Sequence, residues 1–551
     1  MPNATAMTGG AALVAALASH GVDTVFGIPG THNLEIYRHL GANGLRHVSP
    51  RHEQGAGYAA DGYARTTGRP GVAVVTTGPA LLNAATAIGQ AYSDSVPLLV
   101  VSPGLPLRHP ALGNGLLHES RDQSAAIAAV AAASLRVTSV AEIPTAVAQA
   151  FALMTSGRPR PVHLEVPLDV LEETAGVVVV APAAAPAPYP SDPLVREVAA
   201  VLAGAHRPVV LAGGGARGAA TELRRLAEQL GAPVVTTANG KGVLPEDHPS
   251  ALGAGLHLPA VAELVEQADV VLAVGTELAP SDLWNGPLRF PGTLVRVDID
   301  PIGCLTNAVP DVAVVGDAAQ VLGRISEHVQ GVAAGPGPAA ARHEWTAGIA
   351  DWRKRKAADA AEEGREWLPV VEALQAALPR DAVVGADSAM VCYYGLLANL
   401  ATYGPATFLY PTGFGTLGYG LPAAIGAKVA DRERPVVAVL GDGGVMFTVA
   451  ELATAAGLGL ALPVVVVDNG GYGEIRNEMA DRGDPLTAVA LPSPDFAALG
   501  RSLGCHGHTT VDPSALTDLV RSALVADRPT VIHLLHREPS RDLNAPEGDQ
   551  A

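Results

Sequence analysis

VVAVLGDGGVMFTVAELATAAGLGLALPVVVVDNGGYG, residues 436–473, is the stretch whose reading decides the fold. It opens on the apolar run VVAVL (436–440), turns on GDGG and continues as helix-compatible sequence through Leu460. A second apolar run, VVVV (464–467), then stops at Asp468 and Asn469. Two short continuous apolar runs joined by a crossover helix predict neighbouring parallel strands with a right-handed connection. Both runs then end on one edge of the sheet. Asp442 and Asn469 are 27 positions apart in the chain, yet the crossover brings their side-chain oxygens towards one point. Such a point suits a hard cation such as Mg2+, which takes carboxylate and amide oxygens and completes its shell with phosphates. Gly441, Gly443 and Gly444 let backbone amides approach a diphosphate at a helix N-terminus. GDGG and Asn469 would each serve equally well as plain turn residues; their coupled spacing is what argues for a Mg-diphosphate site.

The remaining composition bounds the answer. At 551 residues the chain is too long for one core and predicts about three or four domains. Hydrophobic residues make up 48% and charged residues 16%, which predicts a folded globular protein. A net charge of −18 without any basic stripe argues against a nucleic-acid partner. Cys304, Cys392 and Cys505 have no paired spacing, which excludes a disulfide framework or zinc knuckle and predicts small core residues. The N-terminal sequence lacks the pattern of a signal peptide, and no run of about 18 apolar residues offers a membrane span. A soluble, cytoplasmic protein is expected.

Taken in order, the chain reads as three α/β units. In the first, residues 1–180, the strands TVFGIPG (24–30), LRHVSP (45–50), GVAVVTTG (71–78), PLLVVSPG (97–104) and PVHLEVP (161–167) alternate with alanine-rich helical segments. That alternation predicts a doubly wound parallel sheet. APAAAPAPYPSDP (181–193) is expected to be a stiff extended linker. The second unit, 194–331, carries RPVVLAGGG (207–215), APVVTT (232–237), ADVVLAVG (268–275) and GTLVRVDID (292–300). Its GGG turn invites a dinucleotide, but GGGARG lacks the ordered G-x-G-x-x-G, which favours a structural turn. Residues 331–364 read as flexible and then helical, with RKRK (353–356) a solvated helix face. The third unit, 365–551, holds DAVVGADS (381–388), FLYPTGFGTLGYGLPAAIGAKVA (408–430), the opening stretch and PTVIHLL (529–535). Its last residues, REPSRDLNAPEGDQA, are expected to fray.

In the first unit, RHEQGAGYAADGYAR (51–65) places Glu53 after a short strand and before a helix with small residues at Gly55, Ala56 and Ala59. A lone Glu there is ordinarily a helix-start charge. However, this segment, the TTGP turn at 76–79, PTGFGTLGYGLPAAIGA and GDGG…DNGGYG occur in the order and spacing of a known family. Together they resemble the thiamine-diphosphate enzymes that include acetolactate synthases and 2-oxo-acid decarboxylases. The resemblance implies a pyrimidine-binding, a central and a diphosphate-binding domain. It makes Glu53 the glutamate that hydrogen-bonds the cofactor's aminopyrimidine and promotes the imino tautomer that takes the thiazolium C2 proton. It makes Leu417 the wedge between the two cofactor rings and the Gly415 carbonyl a hydrogen-bond acceptor for the amino nitrogen. Asp442, Asn469 and the Gly471 carbonyl become the Mg2+ ligands, with Gly443, Gly444 and Tyr472 beside the cofactor. It also implies a homodimer or homotetramer whose sites lie between chains, Glu53 from one and Asp442 from another.

Departures from the synthase pattern bear on substrate. Ala80 stands where that family usually has Gly, and His118 where it usually has Gln; GTELAPSDLWNG (275–286) replaces its arginine- and aspartate-rich flavin turn, so no FAD is expected. GIPGTHNLEIY, GTELAPSD, VRVDIDP and DNGGYGEIR are most similar to 5-guanidino-2-oxopentanoate decarboxylases, whose product is 4-guanidinobutanal. A guanidinium group wants a carboxylate as bidentate acceptor, and Glu474 and Glu119 are the candidates. Thr31, His32 and His118 are candidate substrate-facing polar residues. Two alternatives stand: an acetolactate-type carboligase joining two 2-oxo acids, and a catalytically silent regulatory subunit.

Overall fold

The structure, a computed structural model, describes residues 4–110, 113–180, 182, 187–331 and 336–536. Most of the proline-rich segment at 181–186, the start of the second connection and the C-terminal tail expected to fray therefore lie outside the described residues. Each of the three units is built on a six-stranded, wholly parallel sheet flanked by helices.

Edge to edge, the first sheet runs Arg46–Val48, Thr24–Gly27, Gly71–Val74, Leu98–Gly104, Val162–Pro167 and Ala133–Arg136. The second runs Ala251–Ala254, Val234–Thr236, Pro208–Ala212, Val270–Val274, Thr293–Asp298 and Val312–Val315. The third runs Phe408–Leu409, Val383–Ala386, Val436–Gly441, Pro463–Asp468, Thr530–Leu535 and His506–Thr510. Interior strands are the apolar runs read from the sequence, buried on both faces. A two-stranded antiparallel ribbon, Thr5–Thr8 on Thr174–Val177, closes the first unit. The three cysteines are buried and free.

Two expectations need correction. The crossover after Val436–Gly441 is not one helix: Asp442–Val445 and Glu451–Gly457 are separate short helices. Between them the amides of Phe447, Thr448 and Glu451 bond three residues back, and the Thr448 hydroxyl donates to the Gly418 carbonyl at 2.7 Å. That side-chain bond draws the segment onto the neighbouring loop and breaks the helical ladder. The RKRK segment is also not a solvated face. Its helix, Ile349–Glu363, docks on the central unit through Ile349, Trp352 and Ala360. Lys356 is buried and donates to the Ala398 carbonyl at 2.7 Å, while Arg353 donates to the Ala251 carbonyl at 2.9 Å. Only Lys354 and Arg355 face outward.

The first and third units meet through the helices Glu53–Thr67 and Gly420–Ala430, whose residues share one apolar core. The approach is close enough to require glycine: a Cβ at Gly426 would lie 1.9 Å from the Ala59 carbonyl oxygen, and one at Gly62 2.1 Å from that of Ala423. Across this seam Arg65 is fully buried between Asp61 (2.7 Å) and Asp94 (2.8 Å), and it donates to Asn239 of the central unit at 2.7 Å. Those carboxylates hold its guanidinium well above the usual range. The GGG turn contributes here as structure: Gly213 and Gly215 abut Gly275, and Arg217 reaches into the seam to Asn239.

Candidate active site

Val436–Gly441 and Pro463–Asp468 pair in parallel, with Gly441 opposite Val467, so Asp442 and Asn469 leave the same sheet edge side by side. The Asn469 side-chain amide lies between Asp442 and the Gly471 carbonyl, and its NH2 donates to Asp442 Oδ1 at 3.2 Å and to the Gly471 carbonyl oxygen at 3.1 Å. Turned round, the same amide would present its oxygen beside a carboxylate and a peptide carbonyl, a set of hard oxygen donors of the kind Mg2+ takes. The residues present therefore fit a Mg2+ ion. A single carboxylate with amide and peptide oxygens leaves charge to be balanced by phosphate, and among the described residues no cluster of three His, Cys, Asp or Glu side chains offers a transition-metal site.

Around this edge, Gly471 takes φ +127°, and a Cβ there would lie 2.2 Å from the Val489 carbonyl. Gly443 lies under the Tyr472 ring and Gly444 against Asp387. Asp442 is nearly buried; burial and the neighbouring Asp468 push its carboxyl up. The Ser493 hydroxyl sits 3.1 Å from Asp442 and 2.9 Å from Asp468, and His533 Nε2 is 3.1 Å from the far side of Asp468.

The loop carrying Gly415 and Leu417 is held from both sides. Asp94 accepts the amides of Thr412 and Gly413, Gln90 accepts the amide and hydroxyl of Thr416, and Asp387 accepts the amides of Gly418 and Tyr419. Gly415, at φ +65°, is exposed with open space at its Cα, and Leu417 is half-buried.

Glu53 is the first residue of its helix. One carboxylate oxygen accepts from Asn83 Nδ2 at 2.9 Å. The backbone just before it is fixed by Glu451, whose carboxylate accepts the amides of Arg51 (3.0 Å) and His52 (3.1 Å). Burial pushes the Glu451 carboxyl up. Asn83, Glu451, Asp387 and Ser493 were not singled out in the sequence. Asn83 closes the TTGPALLN segment and Glu451 is a lone acid in the crossover, which were the available signals.

The substrate candidates separate into two groups. Thr31, His32 and His118 lie at the C-terminal edge of the first sheet, where the His32 and His118 rings meet edge to face at 5.1 Å. His32 is buried, and burial together with His118 lowers its pKa. Nδ1 of both rings and the Thr76 hydroxyl are buried without a hydrogen-bond partner. A cavity of about 600 Å³ lined by Thr31, His32, Tyr37 and Leu168 reaches His32 but not His118 or Thr76. Glu474 is the second residue of the helix Gly473–Asp481, two residues after Tyr472. It accepts from the Tyr394 hydroxyl at 2.8 Å, beside Tyr393, whose ring meets Tyr394 edge to face. Glu119 is engaged by its own loop: the Gly115 amide at 2.8 Å and His109 Nε2 at 3.1 Å.

Asp442 and Asn469 side by side at one sheet edge, a glutamate at a helix start on another unit, and three parallel sheets flanked by helices are the features expected of a thiamine-diphosphate enzyme. Comparison with known proteins agrees. Residues 7–126, 195–325 and 389–534 match, respectively, the N-terminal TPP binding, central and C-terminal TPP binding domains of thiamine pyrophosphate enzymes. The chain belongs to that family. It is 43% identical to the probable 2-ketoarginine decarboxylase AruI of Pseudomonas aeruginosa, over 96% of this chain and 94% of that protein. It is 36% identical to an acetolactate synthase large subunit of Parasynechococcus marenigrum, over 96% and 87%. A probable acetolactate synthase large subunit of Methanocaldococcus jannaschii is 31% identical over 96% and 92%.

Proposed function

We propose that this thiamine-diphosphate enzyme decarboxylates a 2-oxo acid with a basic side chain, converting 5-guanidino-2-oxopentanoate to 4-guanidinobutanal. The observation that carries the reading is Glu474, a carboxylate beside two tyrosine rings at the end of the cofactor-binding stretch. A guanidinium is bound best by a planar carboxylate acceptor and aromatic faces. The AruI likeness supports the same substrate.

Asp442, Asn469 and the Gly471 carbonyl would hold Mg2+, with Gly443, Gly444 and Tyr472 next to the diphosphate. Thiamine diphosphate, when bound, supplies the nucleophilic carbon and the electron sink for loss of carbon dioxide. The chain's own share is orientation and proton handling. Glu53, fixed by Asn83, would hold a proton at its carboxylate facing the pyrimidine ring. Leu417 and the Gly415 carbonyl would hold the cofactor between them. His32, His118 and Thr76 offer unspent hydrogen-bonding groups to the substrate carboxylate, since a buried polar atom without a partner is costly until a ligand supplies one.

Within one chain the hydrogen bond of Glu53 stays in its own unit. Leu82, Phe414, Met446 and Phe447, next to the two halves of the site, are about half exposed. Both features support a homodimer or homotetramer with sites between chains. Among the described residues no helix is long and apolar enough to cross a membrane, in keeping with a cytoplasmic enzyme.

The test compares kcat/KM for 5-guanidino-2-oxopentanoate and for the uncharged 2-oxohexanoate in wild type and Glu474→Gln. The reading expects the guanidino acid to be preferred, and the substitution to remove on the order of 10–10²-fold of that preference. Equal loss on both substrates would take Glu474 out of substrate recognition. The acetolactate synthase relatives favour the second reading, carboligation of two 2-oxo acids.

A further inference from the structure

Asp387 directly follows the strand Val383–Ala386 and is fully buried. Among the described residues it has no cationic partner, unlike the buried Asp61 and Asp94, which share Arg65. Its carboxylate is satisfied by peptide N–H groups instead: Oδ2 accepts from Gly418 at 3.0 Å and Oδ1 from Tyr419 at 2.9 Å. Those two amides belong to the residues immediately after Leu417. The same side chain also touches the diphosphate turn, because a Cβ at Gly444 would lie 2.3 Å from Asp387 Oδ2. Only glycine at 444 leaves room for the carboxylate. Gly418 is left-handed at φ +79°, and its carbonyl accepts from Thr448 in the crossover that follows the turn. One buried carboxylate thus lies between the Leu417 loop and the GDGG turn. A carboxylate buried without a countercharge is costly, and its geometry is set on both sides.

We propose that Asp387 is a positioning residue: it fixes Leu417 and the Gly415 carbonyl relative to the diphosphate turn, so that the two rings of a bound thiamine diphosphate are held at their reacting angle. The proposal rests on reading Leu417 as the wedge between those rings. It differs from a mere cap on the helix Gly420–Ala430, which would contribute stability and leave cofactor chemistry untouched.

The experiment uses the full chain with thiamine diphosphate and Mg2+ and no substrate. Deuterium exchange at the cofactor C2 position is followed by NMR, cofactor affinity by calorimetry, and folding by cofactor-free melting, in wild type, Asp387→Asn, Leu417→Ala and the double variant. Asp387→Asn keeps the shape but turns one acceptor into a donor facing an N–H. Exchange slowed on the order of 10²-fold is expected, with affinity for the Mg-diphosphate little changed. Leu417→Ala should slow it comparably, and the double variant should be no slower than Leu417→Ala alone, since both changes remove one function. Wild-type exchange in Asp387→Asn with only a lower melting temperature, or effects that multiply in the double variant, would overturn the proposal. If Asp387→Asn does not melt cooperatively, Asp387→Glu, which keeps the charge and displaces the carboxylate, is read against the same two outcomes. Wild type that binds thiamine diphosphate but shows no C2 exchange would instead overturn the functional reading itself.

Discussion

Glu53 has one carboxylate oxygen engaged by Asn83, and on the proposed reading the other meets a cofactor ring nitrogen. Glu53→Gln should therefore lower kcat by roughly 10²–10⁴-fold while cofactor retention, measured by gel filtration and thiamine assay, stays near wild type. A second residue-scale expectation concerns pH. Asp282 is half-buried in the central unit and accepts the Ala238 amide at 2.9 Å, and its partial removal from water pushes its carboxyl up from 3.8 to about 6. Its folded-state pKa lies above the unfolded one, so the folded state binds the extra proton between those values. Stability is thus greatest at low pH with respect to this group and falls as pH rises from about 4 to 6, by roughly 3 kcal/mol at most. Asp282→Asn should flatten that share of the slope in urea titrations across this window; an unchanged slope would refute the assignment. The places of Asp442 and Asn469 at one sheet edge and of Glu53 at a helix start were legible in the sequence because two parallel strands and one helix start set them locally; their roles toward the cofactor are proposed. Asn83, Glu451 and Asp387 were not legible, because what each touches depends on how whole segments dock.

At the scale of elements, interior strands were readable as apolar runs, whereas of the edge strands in the first sheet only Arg46–Val48, within LRHVSP, was read. Ala133–Arg136 and His506–Thr510 face water along much of their length, so their composition does not separate them from loops. The broken crossover escaped for another reason: the sequence through Leu460 is helix-compatible, and the break coincides with long-range contacts of Phe447 and Thr448 on the Gly418 turn. The small residues at the start of Glu53–Thr67 did signal close approach, with Gly55 against Glu451 and Ala59 against Gly426. Gly426→Ala should force the two helices apart and cost about 1–3 kcal/mol in chemical denaturation. A neutral result would mean that the seam between the first and third units is looser than the 1.9 Å approach implies.

For the whole molecule, three similar sheets are tied by one buried polar seam in which Asp94 serves both Arg65 and the Leu417 loop. If Leu417 wedges the cofactor as proposed, domain docking and cofactor geometry are coupled through that residue. Three α/β units and the cofactor were legible because the motifs lie at strand ends, where ligands of open parallel sheets bind. Substrate choice was less legible, since Glu474, His32 and His118 gain meaning only from neighbours distant in the chain, such as Tyr394 and Thr76. The most direct measurement is product identification with purified protein, thiamine diphosphate, Mg2+ and, separately, 5-guanidino-2-oxopentanoate and pyruvate. Release of carbon dioxide with 4-guanidinobutanal, at a higher kcat/KM than any reaction of pyruvate, is the predicted result. Acetolactate from pyruvate as the more efficient reaction would contradict it.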